Sequence, residues 1–163
     1  MSGTSGGAAA RAELPDQAAW HVVVDGQAIA IDTVFSDQSL GTGGMVVSGQ
    51  DAIQWLRLHL NDGCVDGRQV IARAAIRETH RPHSLTEPGK DPVALTLVYP
   101  GARMGAYALG WAASDFEGHP LVAHSGSDYG VTAFTLLLPR SGIGITVYGN
   151  SSSGGTMPAA YGV

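Results

Sequence analysis

Sulfur and lysine are scarce in this sequence. Cysteine occurs once, at Cys64, which excludes an internal disulfide and leaves the redox compartment open. Lysine also occurs once, at Lys90. Nine Lys and Arg stand against 14 Asp and Glu, for a net charge of -5 and a pI near 5.5. No basic stripe exists to neutralise phosphates, which excludes a nucleic-acid or anionic-membrane binder. Arg73, Arg77 and Arg81 recur every four residues and read as the solvated face of a helix. No apolar run approaches the roughly 18 residues that a membrane span needs. The opening MSGTSGGAAARAEL has no basic start followed by an apolar core, so no signal peptide is expected in this chain. The localisation stays open.

What is present suits one globular domain: 163 residues, 44% hydrophobic and 14% charged, with no internal repeat. Residues 1–14 are expected to be a flexible lead-in rich in Gly, Ser and Ala, residues 15–150 the domain, and residues 151–163 a flexible tail. Asp25-Gly26 between two apolar runs predicts a hairpin of Trp20–Val24 with Gln27–Ile31. Gly41-Thr42-Gly43-Gly44 reads as a close backbone turn; its spacing does not fit a dinucleotide fingerprint. Ser48 is a good helix N-cap, with Asp51 in the capping-box position. Ile53, Leu56 and Leu60, with Trp55 beside them, then form the expected apolar face, and Asn61-Asp62-Gly63 ends the helix. Residues 65–71, around Asp66-Gly67, read as a turn into a second helix over Arg73–His80, stopped by Pro82. Residues 82–92, with three prolines, read as a surface loop.

The stretch 107–150 is a run of short strands. Residues 121–124 are a brief apolar rise, Val131–Leu138 a β-rich run, and residues 143–148 alternate around Gly144 and Thr146. Turns fall at residues 115–118 and 139–142. His124-Ser125-Gly126-Ser127 is placed where the first of these strands ends, as a polar corner in the wall of a site.

Smaller groupings have simpler explanations. His80 and His83 have the spacing of a metal pair, but Pro82 lies between them and no further ligands cluster nearby. No metal or cofactor is expected. Asp115 and Glu117 read as solvated turn residues, and Asn150-Ser151-Ser152 matches a glycosylation acceptor only by pattern. Ser125 beside His124 suggests a nucleophile and its base, yet neighbours on a strand point to opposite faces.

The order of these pieces resembles the penicillin-recognising serine hydrolases: class C β-lactamases, D-alanyl-D-alanine peptidases and related esterases. The resemblance rests on Tyr107-x-x-Gly110-Trp111, Gly118-His119, His124-Ser125-Gly126, Gly130, Leu138-Pro139 and Gly142-x-Gly144, with a strand ending at Asn150. Upstream, Gly43-Gly44-Met45-Val46-Val47-Ser48 with Asp51 and Trp55 is similar to the family's Gly-Gly-Leu-x-Ser-Thr-x-x-Asp-Leu-x-x-Trp helix. Residues 66–71 match a further family phrase. The likeness covers roughly residues 18–150.

The resemblance implies an α/β (α+β) fold: an antiparallel β-sheet with packed helices, like the sheet lobe of β-lactamase/transpeptidase-like folds, and incomplete. It implies acyl-serine hydrolysis of an amide or ester. In that chemistry a Ser-x-x-Lys serine attacks, a Tyr-x-Asn tyrosine assists, and the third motif (Lys-Thr-Gly or His-x-Gly) lines the cleft. By position His124 is the cleft-facing side chain, Gly126 permits close substrate approach, and Ser127 N–H is the oxyanion donor. A histidine in place of lysine leans towards a peptidase, such as a carboxypeptidase, or an esterase. The chain departs from the pattern decisively: Glu87 stands three residues before Lys90, so no Ser-x-x-Lys exists in this sequence. Tyr148-Gly149-Asn150 spells Tyr-x-Asn but follows the third motif, and reads as coincidence. The expectation is a C-terminal part of such a hydrolase, inactive alone, that takes a small amide or ester substrate only when completed. The alternative is a non-catalytic interaction module or partner-dependent half-domain. The strand at 143–148 is expected to keep an unpaired edge and an uncovered apolar face, open to self-association.

Overall fold

The computed structural model describes residues 3–7, 11–32, 37–86, 102 and 104–162. Lys90 and most of the expected loop at 82–92 lie outside them.

The architecture is mixed α and β, and every strand pairing is antiparallel. The main sheet is a six-stranded meander built in chain order. Its strands are β7 (Ser84–Thr86), β8 (Gly105–Tyr107), β9 (Ala112–Phe116), β10 (His119–Asp128), β11 (Val131–Leu138) and β12 (Ile143–Gly149). Three two-stranded ladders accompany it: β1 (Thr4–Gly6) with β4 (Met45–Val47), β2 (Trp20–Val24) with β3 (Gln27–Ile31), and β5 (Cys64–Val65) with β6 (Arg68–Gln69). The helices are α1 (Leu40–Gly43), α2 (Gly49–Leu60), α3 (Arg73–His80) and α4 (Thr156–Tyr161).

Positive-φ pairs set the tight turns. Asp25 (φ 49°) with Gly26 (76°), Asp66 (48°) with Gly67 (79°), and Glu117 (49°) with Gly118 (84°) each supply two left-handed residues. That conformation matches the twist of the flanking strands. Residues 65–71, expected to lead directly into a helix, therefore fold first as the β5–β6 hairpin. The predicted α3 follows with the expected bounds.

The sheet buries both faces. On one, Leu56 of α2 joins Ala106, Ala108, Trp111, Ala113, Val122 and Leu137, with Leu60 against them. On the other, Ala160 of α4 joins Leu121, Ala123, Phe134 and Leu136, flanked by Ile145, Val147 and Tyr161. Strand alternation explains the division: Val122 and Leu137 are register partners, and so are Ala123 and Leu136, on opposite sides of the pleat.

Several expectations are corrected here. Ile53 and Trp55 are exposed (54% and 42%), whereas Leu56 and Leu60 pack inward as expected; Ala52, Leu56 and His59 form a buried i, i+4, i+7 stripe of a 3.6-residue period, and Leu58 is buried beside it. Ser48 caps α2 by accepting from Asp51 N–H at 3.2 Å. Asp51, however, is buried and turned to the N-terminal segment, accepting from Gly3 N–H (2.8 Å) and Thr4 Oγ1–H (2.7 Å). The expected lead-in thus carries a paired strand, β1. The expected tail carries α4, whose Tyr161 stacks on Phe116; Pro158 falls in its first turn, where an N–H has no helical partner anyway. The apolar face of β12 is covered, by α4 on one side and by α2 over Gly144 on the other. Its outer edge stands at the margin of the sheet with no strand beyond it among the described residues.

Candidate functional site

The main correction concerns His124-Ser125-Gly126-Ser127. The strand does not end there. β10 runs on to Asp128, and the turn is Tyr129-Gly130, with Gly130 at φ 81°. What ends is the neighbour: β9 pairs with β10 only as far as Ala112 opposite Ala123, while β11 pairs with it through Asp128 opposite Val131. From 124 to 128, β10 therefore has a partner on one side alone among the described residues. The four candidate residues lie along an open strand edge inside a sheet, created by a short neighbour.

The register also fixes which groups face that opening. A pair closed by a two-residue loop is necessarily hydrogen-bonded, because too few residues lie between its members to bond around it. His119 with Phe116 and Asp128 with Val131 are such pairs. Backbone groups alternate sides along a strand. Even-numbered residues of β10 thus bond to β11, while odd-numbered ones point to β9 or, beyond Ala123, to the opening. Ser125 and Ser127 direct their N–H and C=O outward there.

Side chains alternate perpendicular to this. Val122 lies on the α2 face of the sheet, so His124 and Gly126 share that face, and Ser125 and Ser127 occupy the other. His124 Nε2 lies 3.1 Å from Tyr107 Oη, and the rings meet edge to face. Tyr107 entered the sequence reading only as a flanking match; nothing in its spacing could place it beside His124, because the contact depends on the β8–β9 hairpin folding back. Its backbone is secured by His83 N–H, which donates to Tyr107 O at 2.9 Å.

The same face continues across the sheet as register rows. His124 lies opposite Thr135, and Thr135 opposite Thr146; the two threonine hydroxyls bond at 2.9 Å. The next row is Gly126, Ala133 and Tyr148. Tyr148 stands two strands from Gly126, about 10 Å at ordinary strand spacing. Gly126 itself has no structural need to be glycine. Its φ is not positive, and an added Cβ would meet only Ala133 Cβ, at an ordinary 3.8 Å.

The other sequence candidates have structural partners. Asp115 accepts from Met104 N–H and Gly118 N–H, both at 3.3 Å, which fastens the β9–β10 turn. His83 faces Glu78 at 3.2 Å, and His80 Nε2 lies 2.9 Å from His59 Nδ1. Among the described residues no three His, Cys, Asp or Glu side chains gather as metal ligands, and no helix is long and apolar enough to cross a membrane. Arg73 and Arg77 both reach Asp62. The hydrogen bond from Arg77 holds the Asp62 carboxyl below its usual range.

No family model matches the chain, and no curated protein matches it. Among solved structures it is similar to the octameric penicillin-binding protein homologue from Pyrococcus abyssi, with a TM-score of 0.69 and 18% identity. That match covers 93% of this chain and 30% of the other, so the chain spans under a third of that protein's length. At this identity the likeness is one of fold: the chain has the mixed α/β, antiparallel architecture found in part of a penicillin-binding protein homologue.

Proposed function

We propose that this chain supplies the substrate-binding wall of a β-lactamase-related acyl-serine hydrolase without supplying its nucleophile. The observation that carries the reading is the open edge of β10. It combines an outward-directed Ser127 N–H, a histidine–tyrosine pair at its start, and a glycine at 126 that neither φ nor space requires. An acyl group laid along the edge would find Ser127 N–H as a donor for its developing oxyanion. His124, with Tyr107 behind it, would contact the substrate's polar end, and the bare backbone at Gly126 would allow close approach.

Ser125 is not the nucleophile in this reading. It projects from the opposite face to His124, whose Nε2 already meets Tyr107, and the sequence holds no Ser-x-x-Lys. The serine and its base must come from another segment or another chain. Small amides or esters bind productively only in that completed site. The second reading, an interaction module without catalysis, is favoured by the open outer edge of β12, an uncharged strand at the sheet margin. Such an edge can accept a further strand.

The experiment is acylation of the purified chain by a fluorescent penicillin and by a fluorophosphonate, read by intact mass. No adduct with either is expected. A stoichiometric adduct overturns the reading, and mapping it to Ser125 would make that residue the nucleophile.

A further inference from the structure

A second group of titratable side chains lies away from the β10 edge. His59 is buried near the end of α2, at 4% exposure, and His80 is the last residue of α3. Their nitrogens meet at 2.9 Å and their rings stack at 24°. Trp111 meets both rings edge-on, and Trp55 meets His59. His59 Nε2 is buried without a hydrogen-bond partner. An unpartnered acceptor costs less than an unpartnered N–H, so the neutral pair is best arranged with His59 Nδ1–H donating to His80 Nε2.

We propose that the His59–His80 pair is an acid-operated latch: it holds α3 on α2 when neutral, releases it when protonated, and thereby governs the position of Tyr107 beside His124. The latch stands on its own geometry; only its consequence rests on the proposed role of His124.

The proton count gives the mechanism. In the neutral pair the two facing nitrogens share one hydrogen. One added proton must occupy a nitrogen such as His59 Nε2, which has no acceptor around it. With two, both facing nitrogens carry a hydrogen, and donor opposes donor across a stacked contact. Burial accordingly pushes His59 down to about 4, with His80 adding to the shift, and pushes His80 down as well.

The surrounding charges do not cancel this. Asp62, in the turn after α2, favours a charged His80, but it is engaged by Arg77 and Arg73 of α3. Glu78 faces Arg81 and His83. Asp115 of β9 and Arg140 of the β11–β12 turn line the same groove of about 920 Å³. Asp115 is bonded to its own turn.

The route to the site is short and covalent for most of its length. Three residues after His80, His83 N–H holds Tyr107 O, and Ser84 is the register partner of Tyr107. From the other side, Trp111 closes the β8–β9 hairpin through Ala108 N–H at 2.7 Å to Trp111 O. Release of α3 loosens both supports of Tyr107, the residue that meets His124.

The test follows the Trp111 indole, Tyr107 amide and His124 ring resonances of the intact chain from pH 7.5 to 3.5. In the wild type, Trp111 and Tyr107 should shift together, reversibly, in one transition between pH 6.5 and 4. His80→Gln keeps an acceptor for His59 Nδ1–H but removes the donor–donor opposition, and should weaken that transition and move it to lower pH. His59→Phe, which fills the same apolar space, should lose it altogether, and His80→Gln suffices if the buried variant does not fold. An unchanged transition in His80→Gln overturns the latch. Movement of Trp111 with Tyr107 stationary overturns its connection to the site. Neither result depends on the acylation experiment, so the two proposals fail separately.

Discussion

Gly144 on β12 lies close under α2, and replacing it with alanine tests that packing directly. An ideal Cβ would stand 3.0 Å from Leu137 Cδ2, 3.2 Å from Leu60 Cδ1 and 3.3 Å from Leu56 Cβ. The first two are ends of flexible side chains. The third is fixed to the backbone of α2 and can yield only if the helix moves. Leu137 is fully buried and Leu56 nearly so (0% and 7% exposed), which leaves little room for repacking. Overfilling a core of this kind costs about 1–3 kcal/mol. Against it stands the ordinary benefit of Gly→Ala, about 0.4–1 kcal/mol through the unfolded chain. The net expectation is a loss of about 0.5–2 kcal/mol, a fall in Tm of roughly 1–8 °C for a domain of this size. Gly49→Ala is the matched control. It lies in the first turn of α2 with nothing within 4 Å of an added Cβ, and should hold or raise stability by up to about 1 kcal/mol. Thermal unfolding of both variants by circular dichroism decides the matter. A Gly144→Ala protein as stable as Gly49→Ala would refute the placement of α2 on β12.

Two further outcomes follow from buried polar groups. Asp51→Ala leaves Gly3 N–H and Thr4 Oγ1–H without their acceptor; it should cost about 1–3 kcal/mol and expose residues 3–7 to limited proteolysis, and unchanged protease resistance would contradict the anchoring. The His59 position makes stability fall with acid. Its folded pKa of about 4 lies below the ordinary 6.5, so the unfolded chain binds more protons between those values. The contribution is complete above pH 6.5, decreases as pH falls, and is gone below 4. By pH 5 the loss amounts to about 2 kcal/mol, measurable by urea unfolding at pH 7 and pH 5; an equal loss in His59→Phe would assign the effect to other groups.

Local chemistry made much of the fold legible. Asp25-Gly26 announced its hairpin because two consecutive positive-φ residues have few other uses. Ser48 announced the start of α2, and Pro82 the end of α3. The features that escaped depend on contacts distant in sequence. Ser125, Gly126 and Ser127 look locally like the end of a strand. Only pairing with Thr132, Ala133 and Phe134 extends β10 through them. On α2, hydrophobicity favours Ile53 and Trp55 for the buried stripe, whereas tertiary packing buries Ala52 and His59. The helix at Thr156–Tyr161 was hidden by the Ser- and Gly-rich run before it, and is held instead by Ala160, Met157 and Tyr161 against the sheet. For the site, the motif residues were readable and their setting was not. Tyr107, Thr135 and Thr146 join His124 only through register and hairpin geometry.

The open edge of β10 is tested most directly by amide hydrogen exchange, resolved residue by residue. The expected pattern is alternation: Gly126 and Asp128 protected by β11, Ser125 and Ser127 exchanging many-fold faster, and Leu121 and Ala123, bonded to β9, protected again. Uniform protection from 121 to 128 would mean that another strand covers the edge, and would contradict both the opening and the role proposed for Ser127.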